Sequence, residues 1–354
     1  MTVLWINLTL VYFFSFFSRY FSVPSLSNIS SIKPNKLMIF MVMLTIVLVS
    51  GLRRNIGDTY FYRHIYDSNE FTWEYVLSQK DIGFGIMQML LQQISDDSQI
   101  MVFITALITN VLIIIVLYKY SRLPELALYV YITSGMHIVS MNGIRQFLAA
   151  AILFTATKYL FEGDFKKYAL IILFASFFHQ SALILIPIYF IVRRKAWTGT
   201  TFMMLLLAIV FTLGFDKFSQ ILFGAIEDTT YGDYESSSEG GANIIRVMVY
   251  AAPVILAYFG REKLRIIFPQ GDYIVNMSLL AVVFMIIATQ NWIFARFTIY
   301  FGLYQLILIS WVPKLFTENS QRLVYYLILI CYFLYFYLDA VLTMGIQYRS
   351  DFIG

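Results

Sequence analysis

LMIFMVMLTIVLVSGL at residues 37–52 runs directly into RRNIGDTYFY at 53–62. The first string is apolar and close to the length of a membrane-spanning helix. The second places Arg53, Arg54, Asp58, Tyr60, Phe61 and Tyr62 where hydrocarbon would meet water. Gly51 and Gly57 allow the backbone to turn there or to approach another group closely. Guanidinium forks suit phosphate, and they also snorkel as interfacial anchors beside an aromatic belt. The two readings of the arginines stand side by side at this point.

Composition sets the class. Of 354 residues, 60% are hydrophobic and only 13% charged, against roughly 45–50% and ~25% in a soluble domain. The expectation is an all-α polytopic integral membrane protein, a single membrane domain over residues 1–354. A net charge of +4, spread over short loops, fits membrane topology and argues against a nucleic-acid partner. Cys331 stands alone in an apolar run, so neither a disulfide framework nor a thiolate metal site is expected. The first apolar run lacks a basic leader and a small-residue cleavage signal, and is expected to be a retained span.

The apolar runs are 3–18, 37–52, 99–118, 124–140, 144–161, 168–192, 200–224, 244–260, 273–289, 297–313 and 323–345. Each approaches spanning length. Basic residues follow the first, third, fifth, sixth, eighth and tenth runs, whereas the segment Glu227–Glu239 is acidic and has no Lys or Arg. The positive-inside rule then puts the N-terminus and the acidic loop, 225–243, outside. Lys166-Lys167 and Arg193-Arg194-Lys195 bracket one run, which a simple crossing cannot satisfy. That run is interrupted near its middle by Phe178-His179-Gln180-Ser181. Each half is too short to span ~30 Å at 1.5 Å per residue. A re-entrant helical hairpin beside about ten transmembrane helices resolves the charges; eleven helices, one of them long, tilted and carrying a core histidine, is the alternative.

This topology gathers polar groups on one extracytoplasmic face: the arginine stretch, Met141-Asn142-Gly143-Ile144-Arg145-Gln146, the segment Gln290–Arg296, Tyr348-Arg349 and, through the hairpin, His179. Within the outside loop 53–98, Phe84, Met87, Leu90, Leu91 and Ile94 form a helical stripe suited to a membrane surface. Asp97 or Ser98 is expected to cap the next helix.

No P-loop, dinucleotide glycine fingerprint or Cys/His metal pair occurs, so no cofactor and no metal are expected. His64, His137 and His179 are far apart in sequence, and a lone histidine is usually a satisfied core residue. Arg53, Arg54, Arg145 and Arg296 all lie at outer ends of spans, where topology does not ask for them. Such charges suggest function, and four of them fit a polyprenyl diphosphate, whose departure they would stabilise. Asp58 can pair with Arg53 or Arg54, or act as a general base toward a sugar hydroxyl. Tyr60, Tyr62, Trp73 and Trp292 can stack on sugars or form the belt. A polysaccharide flippase would need cation-lined passage and repeated broken helices. A membrane acyltransferase would need cytoplasmic access for its acyl donor.

Gly-Leu-Arg-x-x-Ile-Gly-x-Thr-x-x-Tyr at 51–62 resembles the signature of the EpsG family, Wzy-like polymerases of bacterial exopolysaccharide and O-antigen. Asn142-Gly143-Ile144-Arg145-Gln146 resembles the family's Asn-x-Ile-Arg-Gln motif, and Ala175 through His179 to Ser181-Ala182 its central histidine motif. Ala295, Arg296, Phe297, Tyr300 and Phe301 resemble its late element. The acid of the first motif is displaced here, Gly57-Asp58-Thr59 lacking the intervening residue, and 225–243 has no counterpart. The resemblance implies a GT-C-like or Wzy polymerase fold in the bacterial cytoplasmic membrane with its site outside. It implies transfer of a growing undecaprenyl-diphosphate-linked oligosaccharide onto a lipid-linked repeat unit. A flippase and a chain-length regulator of the same pathway would be partners. His179 and Asp58 would be catalytic, and Arg53, Arg54, Arg145, Arg296, Asn142, Gln146 and Tyr62 would bind diphosphate or glycan. An unperturbed imidazole titrates near neutrality, as a base for the acceptor hydroxyl requires.

Overall fold

The computed structural model describes residues 1–25, 29–215 and 240–352. Those residues are overwhelmingly helical, with a single two-residue antiparallel ladder pairing Val23-Pro24 with Ile32-Lys33. Most of the expected acidic loop at 225–243 lies outside the described residues. The chain divides into two compact units, Met1–Tyr189 with Ile309–Gly354, and Phe190–Leu308.

In the first unit, α1 (Thr2–Tyr20) packs against α2 (Lys36–Gly51). Asn35 starts α2 by accepting a hydrogen bond from the Met38 N–H at 3.2 Å, which satisfies one of the amides a helix start leaves open. Three short helices follow: α3 (Thr59–Ser68), α4 (Trp73–Ser78) and α5 (Ile82–Gln92). The long α6 (Gln99–Tyr120) then packs on α2. Asp97 caps it, accepting from the Gln99 N–H at 2.8 Å, while Ser98 turns away to Asp67 at 3.0 Å. The apolar stripe expected at 84–94 is rotated. Phe84, Gly85, Gln88 and Leu91 are buried, whereas Leu90 and Ile94 are exposed.

The apolar stretch from 124 to 161 is more broken than its composition suggests. It forms α7 (Pro124–Thr133), α8 (Met136–Asn142), α9 (Ile144–Thr155) and α10 (Thr157–Glu162). Every residue of α7 is buried in protein, so its apolar character serves a core and not lipid. The interruption expected near 178–181 is present. α11 (Phe165–Ser176) ends there, a 3-10 turn covers Gln180–Ile184, and α-helix resumes as α12 (Leu185–Val192).

Four helices, Thr2–Tyr20, Gln99–Tyr120, Trp292–Leu315 and Glu318–Thr343, are long and apolar enough to cross a membrane. Ile244–Phe259 and Arg261–Ile267 make a fifth if taken together, bent by 81°. The other runs form shorter helices, so ten or eleven full-length spans are not what the described residues contain. This is an all-α membrane protein in which much apolar sequence is buried within the protein. In the second unit, helix Gly271–Ile287 packs against Gly199–Leu213 and Ile244–Phe259. Asn276 fastens the segment preceding it, donating to the carbonyls of Val192 at 3.0 Å and Arg194 at 2.7 Å.

Candidate active site

A helix leaves its last carbonyls without intrahelical partners, and α2 resolves this with side chains from elsewhere. Tyr348 Oη donates to Val49 O at 2.9 Å, Arg53 Nη1 donates to Ser50 O, and Gln99 Nε2 donates to Gly51 O at 2.5 Å. Arg53 is only 1% exposed. Its Nε donates to Thr59 Oγ1 at 3.1 Å and its Nη2 to Met141 O at 2.8 Å. One guanidinium therefore ties together the ends of α2 and α8 and the start of α3. Burial pulls its pKa down to about 9, which leaves it protonated at neutral pH. The arginine expected to grip a diphosphate is an internal brace with no face toward a ligand. Arg54 points the other way, its side chain 64% exposed and paired with Asp351 at 2.9 Å.

The turn beyond Arg53 depends on Gly57. Its φ is +53°, a region that favours glycine, and a Cβ there would stand 2.1 Å from Asn142 Oδ1. The space is closed because Asn142 Oδ1 accepts the Asp58 N–H at 2.8 Å, joining the first and second motifs. Asp58 does not form the ion pair expected of it: Arg53 is committed to Thr59 and backbone, and Arg54 to Asp351.

Asp81 links the second motif to the central histidine motif. Its Oδ2 lies 2.9 Å from Arg145 Nη1, and its Oδ1 accepts the Gln180 N–H at 3.2 Å. The Gly83 N–H donates to Phe177 O at 2.7 Å, and a Cβ on Gly83 would meet Phe177 Cβ at 2.8 Å. Residues 81–83 are thus laid directly on the break between α11 and the 3-10 turn. Arg145, in the first turn of α9, also covers the Tyr62 ring at 5.6 Å and donates from Nε to Tyr62 Oη at 3.4 Å. Beside it, Gln146 is 3% exposed. His179, half-buried, shares a 2.7 Å hydrogen bond between Nδ1 and Ser181 Oγ. Burial raises the Asp81 pKa, against the opposing pull of Arg145 and of the Gln180 amide.

In the second unit, Asn291 opens a 3-10 turn at Trp292–Phe297 by accepting the Ile293 N–H at 3.0 Å. Arg296 lies over the Trp292 ring, 4.9 Å from its centroid. The other two histidines are occupied elsewhere. His137 is buried and its Nε2 meets Ser50 Oγ at 2.7 Å, while His64 stacks on exposed Tyr60 at 6.1 Å.

A family model matches residues 36–350, described as the EpsG family. The chain belongs to the EpsG family. No curated protein and no solved structure matches it. EpsG is a family of Wzy-like polymerases, and the matched region contains every motif quoted above.

The first unit of this EpsG-family chain brings together Tyr62, Asp81, Arg145 and the turn carrying His179, with Asn142 at the end of α8 holding the loop that carries Asp58. Asp81 is the member that sequence reasoning missed. Its only signal was an acid two residues before a glycine at the start of an amphipathic helix, which reads as an ordinary helix cap. It does not act as one, because its side chain makes no capping bond to α5.

Proposed function

We propose that this protein is a polysaccharide polymerase. It would transfer a growing undecaprenyl-diphosphate-linked glycan onto the non-reducing end of a lipid-linked repeat unit, at the outer face of the bacterial cytoplasmic membrane. A hydroxyl of the acceptor attacks the anomeric carbon of the donor glycan, the bond to undecaprenyl diphosphate breaks, and the hydroxyl proton leaves to a base. The observation that carries this reading is the Asp81 carboxylate, which holds Arg145 and the His179 turn at once.

Arg145 suits the leaving diphosphate. Its side chain is 38% exposed although one Nη is held by Asp81, and charge-assisted donors stabilise an oxyanion as it develops. In the tautomer in which His179 Nδ1 donates to Ser181, Nε2 carries the lone pair that takes the acceptor proton. A positioned base of this kind contributes ~10²–10⁴-fold. Tyr62, whose ring and hydroxyl both meet Arg145, supports the guanidinium from one side. Asn142 holds the 56–58 turn, and with it Asp58, the reserve candidate for the base.

The test is to incubate purified protein with a defined undecaprenyl-diphosphate-linked repeat unit and resolve the products on a gel. A ladder of lipid-linked oligomers, lost in Arg145→Ala, supports the reading. Unchanged substrate, or movement of that substrate across a vesicle membrane without chain growth, overturns it.

A further inference from the structure

The segment Gln347–Asp351 is laced onto the arginine loop. Besides Tyr348 on Val49 O, Ser350 Oγ donates to Leu52 O at 2.6 Å. The Asn55 side chain reads the strap as one peptide group reads another. Its Nδ2 donates to Gln347 O at 2.6 Å, and its Oδ1 accepts the Arg349 N–H at 2.8 Å. The Arg54 N–H then donates to Arg349 O at 2.8 Å. These bonds tie residues nearly 300 positions apart and bring the backbones of Arg54 and Arg349 into direct contact.

The two guanidinium groups are unlike the others near the site. Arg53 is wholly engaged inside the protein, and Arg145 faces a carboxylate that is only 10% exposed. Arg349 is exposed, and among the described residues no carboxylate pairs with it. Arg54 does have a partner, but both sides of its pair with Asp351 are open to solvent, at 64% and 47% exposure. Such pairs are weak and screened by salt, so a multiply charged anion offering several oxygens would displace Asp351.

The proposed reaction requires two such anions. The donor's diphosphate sits at the bond that breaks, while the acceptor's diphosphate stays attached at the far end of its repeat unit, away from the attacking hydroxyl. One cationic subsite cannot hold both. We propose that Arg54 and Arg349, fixed by the strap at 347–351, bind the diphosphate of the acceptor lipid, apart from the donor diphosphate at Arg145. The inference rests on the polymerase reading and assigns that reaction its second lipid subsite.

The experiment uses the full chain in detergent or nanodiscs. The donor is a polyprenyl-diphosphate-linked repeat unit blocked at its terminal hydroxyl. Two acceptors carry the same unblocked repeat unit, one on polyprenyl diphosphate and one on an uncharged alkyl glycoside. The readout is the ratio of kcat/KM for the charged acceptor to that for the uncharged one. The wild type is expected to prefer the diphosphate acceptor, and Arg54→Gln with Arg349→Gln to reduce that preference about tenfold, chiefly through KM, as two charge-assisted contacts are lost. Asp351→Asn, which removes the competing carboxylate, is expected to shift the preference in the opposite direction, a change that a purely structural strap would not produce. If the double variant slows both acceptors equally, or leaves the ratio unchanged, the subsite assignment is overturned while the polymerase reading stands. If the wild type extends neither acceptor, the polymerase reading falls and takes this inference with it.

Discussion

Asp81 Oδ2 lies 2.9 Å from Arg145 Nη1, and the same carboxylate reaches Gln180 N with its other oxygen. A single side chain therefore sets the position of the candidate clamp and of the turn that carries the candidate base. Its side chain is 10% exposed, so this is a costly place for a charge. The cost shows in the direction of its pKa, which burial raises even with Arg145 alongside.

Asp81→Asn separates function from stability. Because the folded-state pKa is raised, the stability linked to Asp81 is fully present below its unfolded value of 3.8 and is lost as pH rises through the folded value. At neutral pH the neutral isostere should therefore leave the melting temperature near that of the wild type, or slightly higher. Turnover should fall by about tenfold or more as Arg145 loses its fixed partner. The acid limb of the wild-type activity profile should lie above the ordinary carboxylate range, and Asn should remove it. A melting curve and a pH–rate profile, measured together, check both halves. Full activity in Asp81→Asn would leave the carboxylate without a positioning role.

Gly57→Ala tests the joint between the first two motifs. The added Cβ would meet Asn142 Oδ1 in a φ region that side chains disfavour. Strain and the lost Asp58–Asn142 bond together should cost about 2–3 kcal/mol. Gly199→Ala is the control, since a Cβ there meets nothing within 4 Å. Thermal unfolding should show a clear loss for the first variant and none for the second.

Part of this arrangement was legible in the sequence. The break at 178–181 was visible because polar residues interrupt an apolar run that basic clusters bracket on both sides. Their place before a long apolar helix marked Asp97 or Ser98 as its cap, and the contact of Ser98 with distant Asp67 leaves the role to Asp97. Asp81 was hidden because its partners lie 64 and 99 positions away, and nothing local marks a carboxylate that serves distant elements. The number of spans was overestimated for a related reason. Hydropathy cannot distinguish an apolar helix facing lipid from one such as Pro124–Thr133, whose whole circumference is buried in protein. Arg53 and Arg54 are adjacent and chemically identical in the sequence, and only long-range contacts show that one is a brace and the other faces solvent.

Substitution of those arginines should separate accordingly. Arg53→Ala strips partners from Met141 O, Ser50 O and Thr59, a loss of about 3 kcal/mol or more, and should reduce the yield of folded protein. Arg53→Lys should rescue little, because one ammonium cannot reproduce three donors in a fixed plane. Arg145→Lys should instead give a well-folded protein with impaired turnover. Comparing yield, melting temperature and polymer length across the three variants checks this. Normal folding of Arg53→Ala would refute the brace.

His179 carries the sharpest test of the chemistry. Its ring is half-buried, on the turn that Asp81 and Gly83 hold in place, with Nδ1 engaged by Ser181. If Nε2 takes the acceptor proton, His179→Ala should lower turnover by ~10²-fold or more, while binding of the lipid-linked donor should change little because the proposal assigns its diphosphate to Arg145. Glutamine discriminates between base and scaffold. It can replace the hydrogen bond to Ser181 but cannot accept a proton at neutral pH, so His179→Gln should stay as slow as His179→Ala while keeping wild-type thermal stability. If the imidazole only supports the turn, His179→Gln should be nearly fully active and His179→Ala should chiefly lower the melting temperature. In that event the base becomes Asp58, which sits beside Asn142 and pairs with neither Arg53 nor Arg54. Asp58→Asn should then show the ~10²-fold loss in turnover expected of His179.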